Sequence, residues 1–244
     1  DRHYGIGGDG IVLIEKSVVA DAKMRIFNKD GSEGQIAGNA IRCVAKYLYE
    51  KGIVKKTTMT IESLSGVKEV RVYSFGGVVT SASADLGKAE LRGECIPSVW
   101  KGETVVNQPM ELDGKTYHVT LVNLGNPHCV IFCDKVDDVP VSTLGPRIEN
   151  SEYFPAKTNV EFIRVVNEST VKMRVWERGN GETWACGTGA AAAAVACVLN
   201  GLGKADTDIT VKLKGGDLIV RYSSDGSVTL TGGVEKIYEG TVEF

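Results

Sequence analysis

Lys23-Met24-Arg25-Ile26-Phe27 and Lys172-Met173-Arg174-Val175-Trp176 are two versions of one pentapeptide, placed 149 residues apart. Sliding the chain on itself by that offset aligns Lys23 to Thr80 with Lys172 to Thr229 without a gap. Glu33 falls on Glu182, Gly38 on Gly187, Gly52 on Gly201 and Gly66 on Gly215. Tyr73-Ser74 meets Tyr222-Ser223, and Gly77, Val79 and Thr80 meet Gly226, Val228 and Thr229. Two copies are too few for a solenoid. They predict two similar halves facing one another about a pseudo-twofold axis.

Each copy reads as strand, polar loop, helix, then strands. Ala22–Phe27 is apolar and β-prone, and Asn28–Gln35 carries an Asp30-Gly31 turn signal. In Gly38–Lys51, Ile41, Val44, Ala45 and Leu48 form a stripe at i, i+3, i+4, i+7, and Gly52 supplies a stop. Thr188–Leu199 is apolar on every face, which predicts a helix packed inside the molecule, ended by Asn200-Gly201. Lys68–Tyr73 with Val78–Ala84, and Leu218–Tyr222 with Ser227–Thr231, read as later strands. The expected fold is α+β, with two pseudo-symmetric domains, each a mixed or antiparallel sheet wrapped around a central helix. The expected halves are residues 1–86 plus 233–244, and residues 87–232.

The second copy is preceded by Val119–Cys133, a strand interrupted by Gly125-Asn126-Pro127-His128. Its partner at the same offset would lie before residue 1, so the first half is expected to lack its opening strand and loop. The Gly5-to-Gly10 run lacks the Lys-Ser/Thr of a phosphate loop and reads as a turn before Ile11–Ile14.

Composition narrows the classes. The 244 residues are 43% hydrophobic and 24% charged, with net charge −3 and no basic cluster, so nothing resembles a nucleic-acid footprint. The longest apolar run, Ala190–Leu199, is too short to span a bilayer, and the first residues do not read as a signal peptide. Six cysteines without Cys-x-x-Cys spacing suggest neither a disulfide framework nor a zinc site, and a reduced cytoplasmic setting is the expectation. Cys43, Cys95, Cys129, Cys133 and Cys197 read as small buried hydrophobes.

The repeat places one arrangement at both helix starts: Ala37-Gly38-Asn39 and Cys186-Gly187-Thr188. Glycine admits a ligand close to the backbone, and the free N–H groups favour an anion there. Asn39 and Thr188 stand where a side chain can cap the helix or donate to that anion. Two such starts facing each other would clamp one carboxylate from both sides. Cys186, just before one start, is expected to have its thiolate favoured and to act as a proton base. Inversion at a carbon acid needs a second group on the opposite face, and the position related to Cys186 holds Ala37, which cannot exchange a proton.

Taken together, Ile26-Phe27-Asn28-Lys29-Asp30-Gly31-Ser32-Glu33 with Gly38-Asn39-Ala40-Ile41-Arg42-Cys43 resembles the first signature of the diaminopimelate epimerases. Glu177-Arg178-Gly179 with Ala185-Cys186-Gly187-Thr188-Gly189-Ala190 resembles the second, and Gly125-Asn126-Pro127-His128 and Thr158-Asn159-Val160 match two further segments. The resemblance implies cofactor-independent, metal-free epimerisation of LL- to meso-diaminopimelate by two thiols, in lysine and cell-wall precursor synthesis. It implies that Cys186 is one catalytic thiol and that Ala37 replaces the other. Gly38, Asn39, Gly187 and Thr188 match the groups holding the carboxylate at the reacting centre. Asn28, Asn159 and Arg178 match the set recognising the distal end, and Asn126 a substrate contact. Glu177 and His128 match polar residues beside the thiols and the amine. The family also uses an Asn in an N-terminal Gly-Asn segment that this sequence does not contain. The implied partner is a small amino acid, and the resemblance leaves room for a homodimer.

Ala37 predicts impaired epimerisation. An introduced replacement is favoured because the rest of the site is intact; a natural one implies that the first half uses another acid or water, or that the protein has drifted. Two other readings stand beside this one: a racemase of another amino acid such as proline or histidine, and an inactive module that binds an amino acid.

Overall fold

A computed structural model describes residues 7–8, 10–28, 31–34 and 38–241. The first half contains β1 (Gly10–Glu15), β2 (Ala22–Asn28), β3 (Glu33–Gly34), α1 (Gly38–Glu50), β4 (Thr58–Ser63), β5 (Gly66–Phe75) and β6 (Val78–Lys88). Next come β7 (Gln108–Leu112), β8 (Lys115–Asn123), β9 (Pro127–Phe132) and α2 (Val141–Glu149). The second copy is β10 (Asn159–Asn167), β11 (Thr170–Glu177), β12 (Gly181–Thr183), α3 (Gly187–Leu199), β13 (Asp208–Leu213), β14 (Gly216–Tyr222) and β15 (Ser227–Gly233).

Hydrogen bonds join these strands in the order β1-β2-β4-β5-β6-β15-β14-β13-β11-β10-β9-β8-β7, with β3 on β2 and β12 on β11. The first five mirror the next five, and the axis relating them passes through the antiparallel β6–β15 pair. Register repeats as well. Ile11 pairs with Phe27 and Val12 with Ile26, as Val160 pairs with Trp176 and Glu161 with Val175. Strands β7–β9 and α2 have no counterpart among the described residues.

The offset of 149 holds from β1 through the helices and then slips by one. The hairpin closed by Ser63 and Gly66 corresponds to that closed by Leu213 and Gly216, 150 residues on, so Gly66 matches Gly216 rather than Gly215. Both of these glycines have positive φ, at 100° and 125°, which is why the turn and not the gapless alignment fixes the equivalence.

The helices follow the apolar pattern. Ile41, Val44, Ala45 and Leu48 of α1 are buried against β5 and β6. In α3 every residue from Gly187 to Cys197 is buried, among β8, β9, β10 and β14. Both helices end alike: Ile53 N–H donates to Leu48 O at 3.0 Å and Leu202 N–H to Cys197 O at 2.8 Å. Of the cysteines expected inside, Cys129 and Cys197 are buried and Cys133 is half-buried, whereas Cys43 and Cys95 are exposed. Cys43 falls off the apolar stripe onto the outer face of α1, and Cys95 sits in a surface 3-10 turn.

Candidate active site

The two helix starts meet. A Cβ on Gly38 would stand 2.7 Å from Leu230 Cδ2 and 3.4 Å from Gly187 Cα, and one on Gly187 would stand 2.9 Å from the same methyl and 3.2 Å from Gly38 Cα. These glycines are therefore pressed by the Leu230 methyl of β15 and by each other's backbone, in addition to any ligand approach. Gly187→Ala is expected to cost about 1–3 kcal/mol by overpacking, read as a fall in denaturation midpoint. A midpoint equal to the parent's would contradict that contact.

Two hairpins, β2–β3 and β11–β12, bring Asn28, Glu177 and Arg178 to this junction, each pinned by an equivalent ion pair. Arg25 Nε donates to Glu33 Oε1 at 2.8 Å, and Arg174 Nε to Glu182 Oε1 at 2.8 Å. The result is a cleft of about 630 Å³ lined from both halves. Asn28, Gly38 and Asn39 come from the first, and Asn126, Asn159, Glu177, Arg178, Cys186, Gly187 and Thr188 from the second. Ala37 lies outside the described residues, as do residues 5, 6 and 9 of the glycine run.

Individual side chains depart from expectation. Cys186 itself caps α3: its Sγ accepts from Gly189 N–H at 3.3 Å, so the cap is not Thr188. Thr188 Oγ1 instead stands 3.7 Å from that sulfur. Asn39 reaches across the axis, donating from Nδ2 to Ala185 O at 3.3 Å, and accepts from Arg42 Nη2 at 3.1 Å. His128 is fully buried and does not line the cleft; it touches the lining residue Asn126 through Nε2 at 2.9 Å. Asn159 holds backbone: Oδ1 accepts from Arg178 N–H at 2.9 Å and Nδ2 donates to Pro127 O at 2.8 Å. One of its amide hydrogens is left for a ligand. Arg178 is exposed and donates to Ala156 O, and Asn28 Nδ2 donates to Ser32 Oγ. Thr183 Oγ1 donates a hydrogen bond to Glu177.

The thiolate expected at Cys186 is disfavoured in the open cleft. Burial pushes the thiol well above its ordinary value, and the Glu177 and Glu161 carboxylates add to that. The Gly189 N–H and Thr188 hydroxyl oppose them and lose. Burial likewise raises Cys129 and Cys133, and takes Cys197 up to about 12. An unfolded thiol titrates near pH ~8.5, so above that point the unfolded chain sheds protons the native one keeps, and stability falls as pH rises. The thermal midpoint is expected to decline between pH about 8.5 and about 12. A midpoint level across that window contradicts the burial of these thiols.

Reasoning from sequence missed Glu161 and Thr183. Glu161 is a fully buried carboxylate whose Oε1 lies 2.7 Å from His128 Nδ1. The visible signal was a lone acid among apolar neighbours, Val160-Glu161-Phe162-Ile163. Among the described residues, no helix is long and apolar enough to cross a membrane.

The family model described as "Diaminopimelate epimerase" matches residues 1–91 and 120–237. Diaminopimelate epimerase of Geobacillus sp. (strain WCH70) is 50% identical over 237 residues, covering 97% of this chain and 84% of that protein. The protein of the same name from Acetivibrio thermocellus is 46% identical over 244 residues, covering 100% and 86%. Among solved structures, a hydroxyproline epimerase from Agrobacterium vitis superposes with a TM-score of 0.70 at 14% identity, over 92% of this chain and 72% of that one. A predicted epimerase from Pseudomonas aeruginosa gives 0.65 at 18% identity, over 95% and 85%. These two likenesses are of fold.

Proposed function

The chain belongs to the diaminopimelate epimerase family, and on that premise we propose that its cleft binds diaminopimelate and handles the α-proton that is exchanged between the LL and meso forms, a step of lysine synthesis. The observation that carries this reading is the cleft itself, where two abutting helix starts and one thiol share a wall with an arginine at its rim. Free N–H groups of the two starts suit the α-carboxylate at the reacting carbon. Arg178, with Asn28 and the remaining amide hydrogen of Asn159, suits a second carboxylate at the far end. Cys186 removes or returns the proton on one face. Glu177 stands beside it, held by Thr183. The opposite face belongs by sequence to residue 37, and an alanine methyl cannot carry a proton, so full inversion in this chain is impaired.

The distal arm supplies the test. Arg178→Leu is expected to weaken binding of LL-diaminopimelate by about ten- to a hundredfold, as loss of a charge-assisted pair does. Calorimetry with LL-diaminopimelate, lysine and proline reads this directly. Binding of proline or lysine as tight as that of diaminopimelate, unaffected by Arg178→Leu, would favour a racemase of another amino acid.

A further inference from the structure

Behind the Cys186 wall runs an unbroken chain of side chains. Glu161 Oε1 meets His128 Nδ1 at 2.7 Å, and His128 Nε2 meets Asn126 Oδ1 at 2.9 Å. Asn126 Nδ2 donates to Thr188 Oγ1 at 3.2 Å, and Thr188 Oγ1 stands 3.7 Å from Cys186 Sγ. Glu161 and His128 are completely buried, and the second oxygen of Glu161 has no partner among the described residues. Among the described residues, one imidazole alone holds this carboxyl group.

The polarity of this chain is set by the Asn126 amide. Its Oδ1 faces His128 Nε2, which therefore carries a hydrogen, and the Glu161 carboxyl at Nδ1 is the group that holds the ring in that form. The amide then has its Nδ2 toward Thr188, whose oxygen accepts. The Thr188 hydrogen is left over, and the sulfur is the acceptor within reach. Val12 occupies the position equivalent to Glu161 in the first half, by the matching registers of β1–β2 and β10–β11. Among the described residues the device exists on the Cys186 side only.

We infer that Glu161 is a positioning residue for the reacting thiol, acting through His128 and Asn126 to aim the Thr188 hydroxyl at Cys186 Sγ. The aimed hydroxyl favours the thiolate that must form when the thiol takes part in proton transfer. Other charged groups face the sulfur: Glu177 from the end of β11 and Glu161 itself from β10, both acting against the thiolate through space. The two routes from Glu161 have opposite signs, which makes them separable.

This inference rests on the assignment of Cys186 as the reacting thiol. It is tested without substrate, so its failure is distinct from failure of the diaminopimelate reading. The measurement is the pH profile of Cys186 alkylation by iodoacetamide, read by mass on the Cys186 peptide, in a double-mutant cycle of Thr188→Val and Glu161→Gln. With the carboxamide oxygen of glutamine at 161 taking the Nδ1 hydrogen, Nε2 is left as an acceptor, and the Asn126 amide is expected to turn round and take the Thr188 hydrogen. Thr188→Val is then expected to slow alkylation at pH 8 by about tenfold in the parent, and by less than about twofold in the Glu161→Gln background. Equal slowing in both backgrounds, or none in the parent, overturns the inference. Should Glu161→Gln fail to fold, Asn126→Asp, whose carboxylate oxygen takes the Thr188 hydrogen, replaces it in the cycle, with the same two outcomes.

Discussion

Replacing Ala37 with cysteine is expected to raise conversion of LL-diaminopimelate to the meso isomer by roughly 10²–10⁴-fold, the range a positioned acid or base contributes. The argument is one of symmetry. Cys186 immediately precedes Gly187 at the start of α3, and residue 37 immediately precedes Gly38 at the start of α1. The two glycines touch, and under the proposed function the groups before them serve one bound carbon. Inversion needs one proton removed from one face and another delivered to the opposite face. A single thiol can only return a proton where it took one. Chromatographic separation of the isomers measures the gain. A rate unchanged by Ala37→Cys would mean that the α1 start does not face the reacting carbon.

Cys186→Ser is expected to slow exchange of the substrate α-proton sharply while leaving the fold intact. Serine keeps an acceptor for the Gly189 N–H now capped by sulfur at 3.3 Å, so the helix start survives. Its hydroxyl is far less acidic than a thiol, and burial beside Glu161 and Glu177 makes the anion less accessible still. Exchange should fall by about 10²–10⁴-fold with an unchanged denaturation midpoint. Retained exchange at the parent rate would move the base to another residue, Glu177 first, since it lines the same wall.

Much of this was legible in the residues because the repeat did the work of an alignment. The α1 stripe, the apolar α3 and the paired helix starts each carry a physical signal that shows in order and spacing alone. What stayed hidden depended on three-dimensional context. α2 was missed because Pro146 stands inside it and the helix is short. β4 and β13 were missed because flanking turns hide six-residue strands in polar sequence. Helix entry geometry, invisible in sequence, made Cys186 the cap and freed Thr188 for the sulfur. The charge on the thiol was misjudged for a related reason. A helix start favours the anion, but full burial and two carboxylates outweigh it. His128, which the resemblance sets beside the thiols and the amine, lies one residue behind the cleft lining, with Glu161 as its partner.

The most direct test places the Ala37→Cys protein with LL-diaminopimelate in deuterated water and follows isomer composition together with α-deuterium content by mass and NMR. The expected result is meso-diaminopimelate carrying deuterium at the inverted α-carbon, with the Ala37 parent giving little inversion. If neither protein inverts or labels diaminopimelate while either racemises another amino acid, the assignment of this cleft to diaminopimelate is wrong.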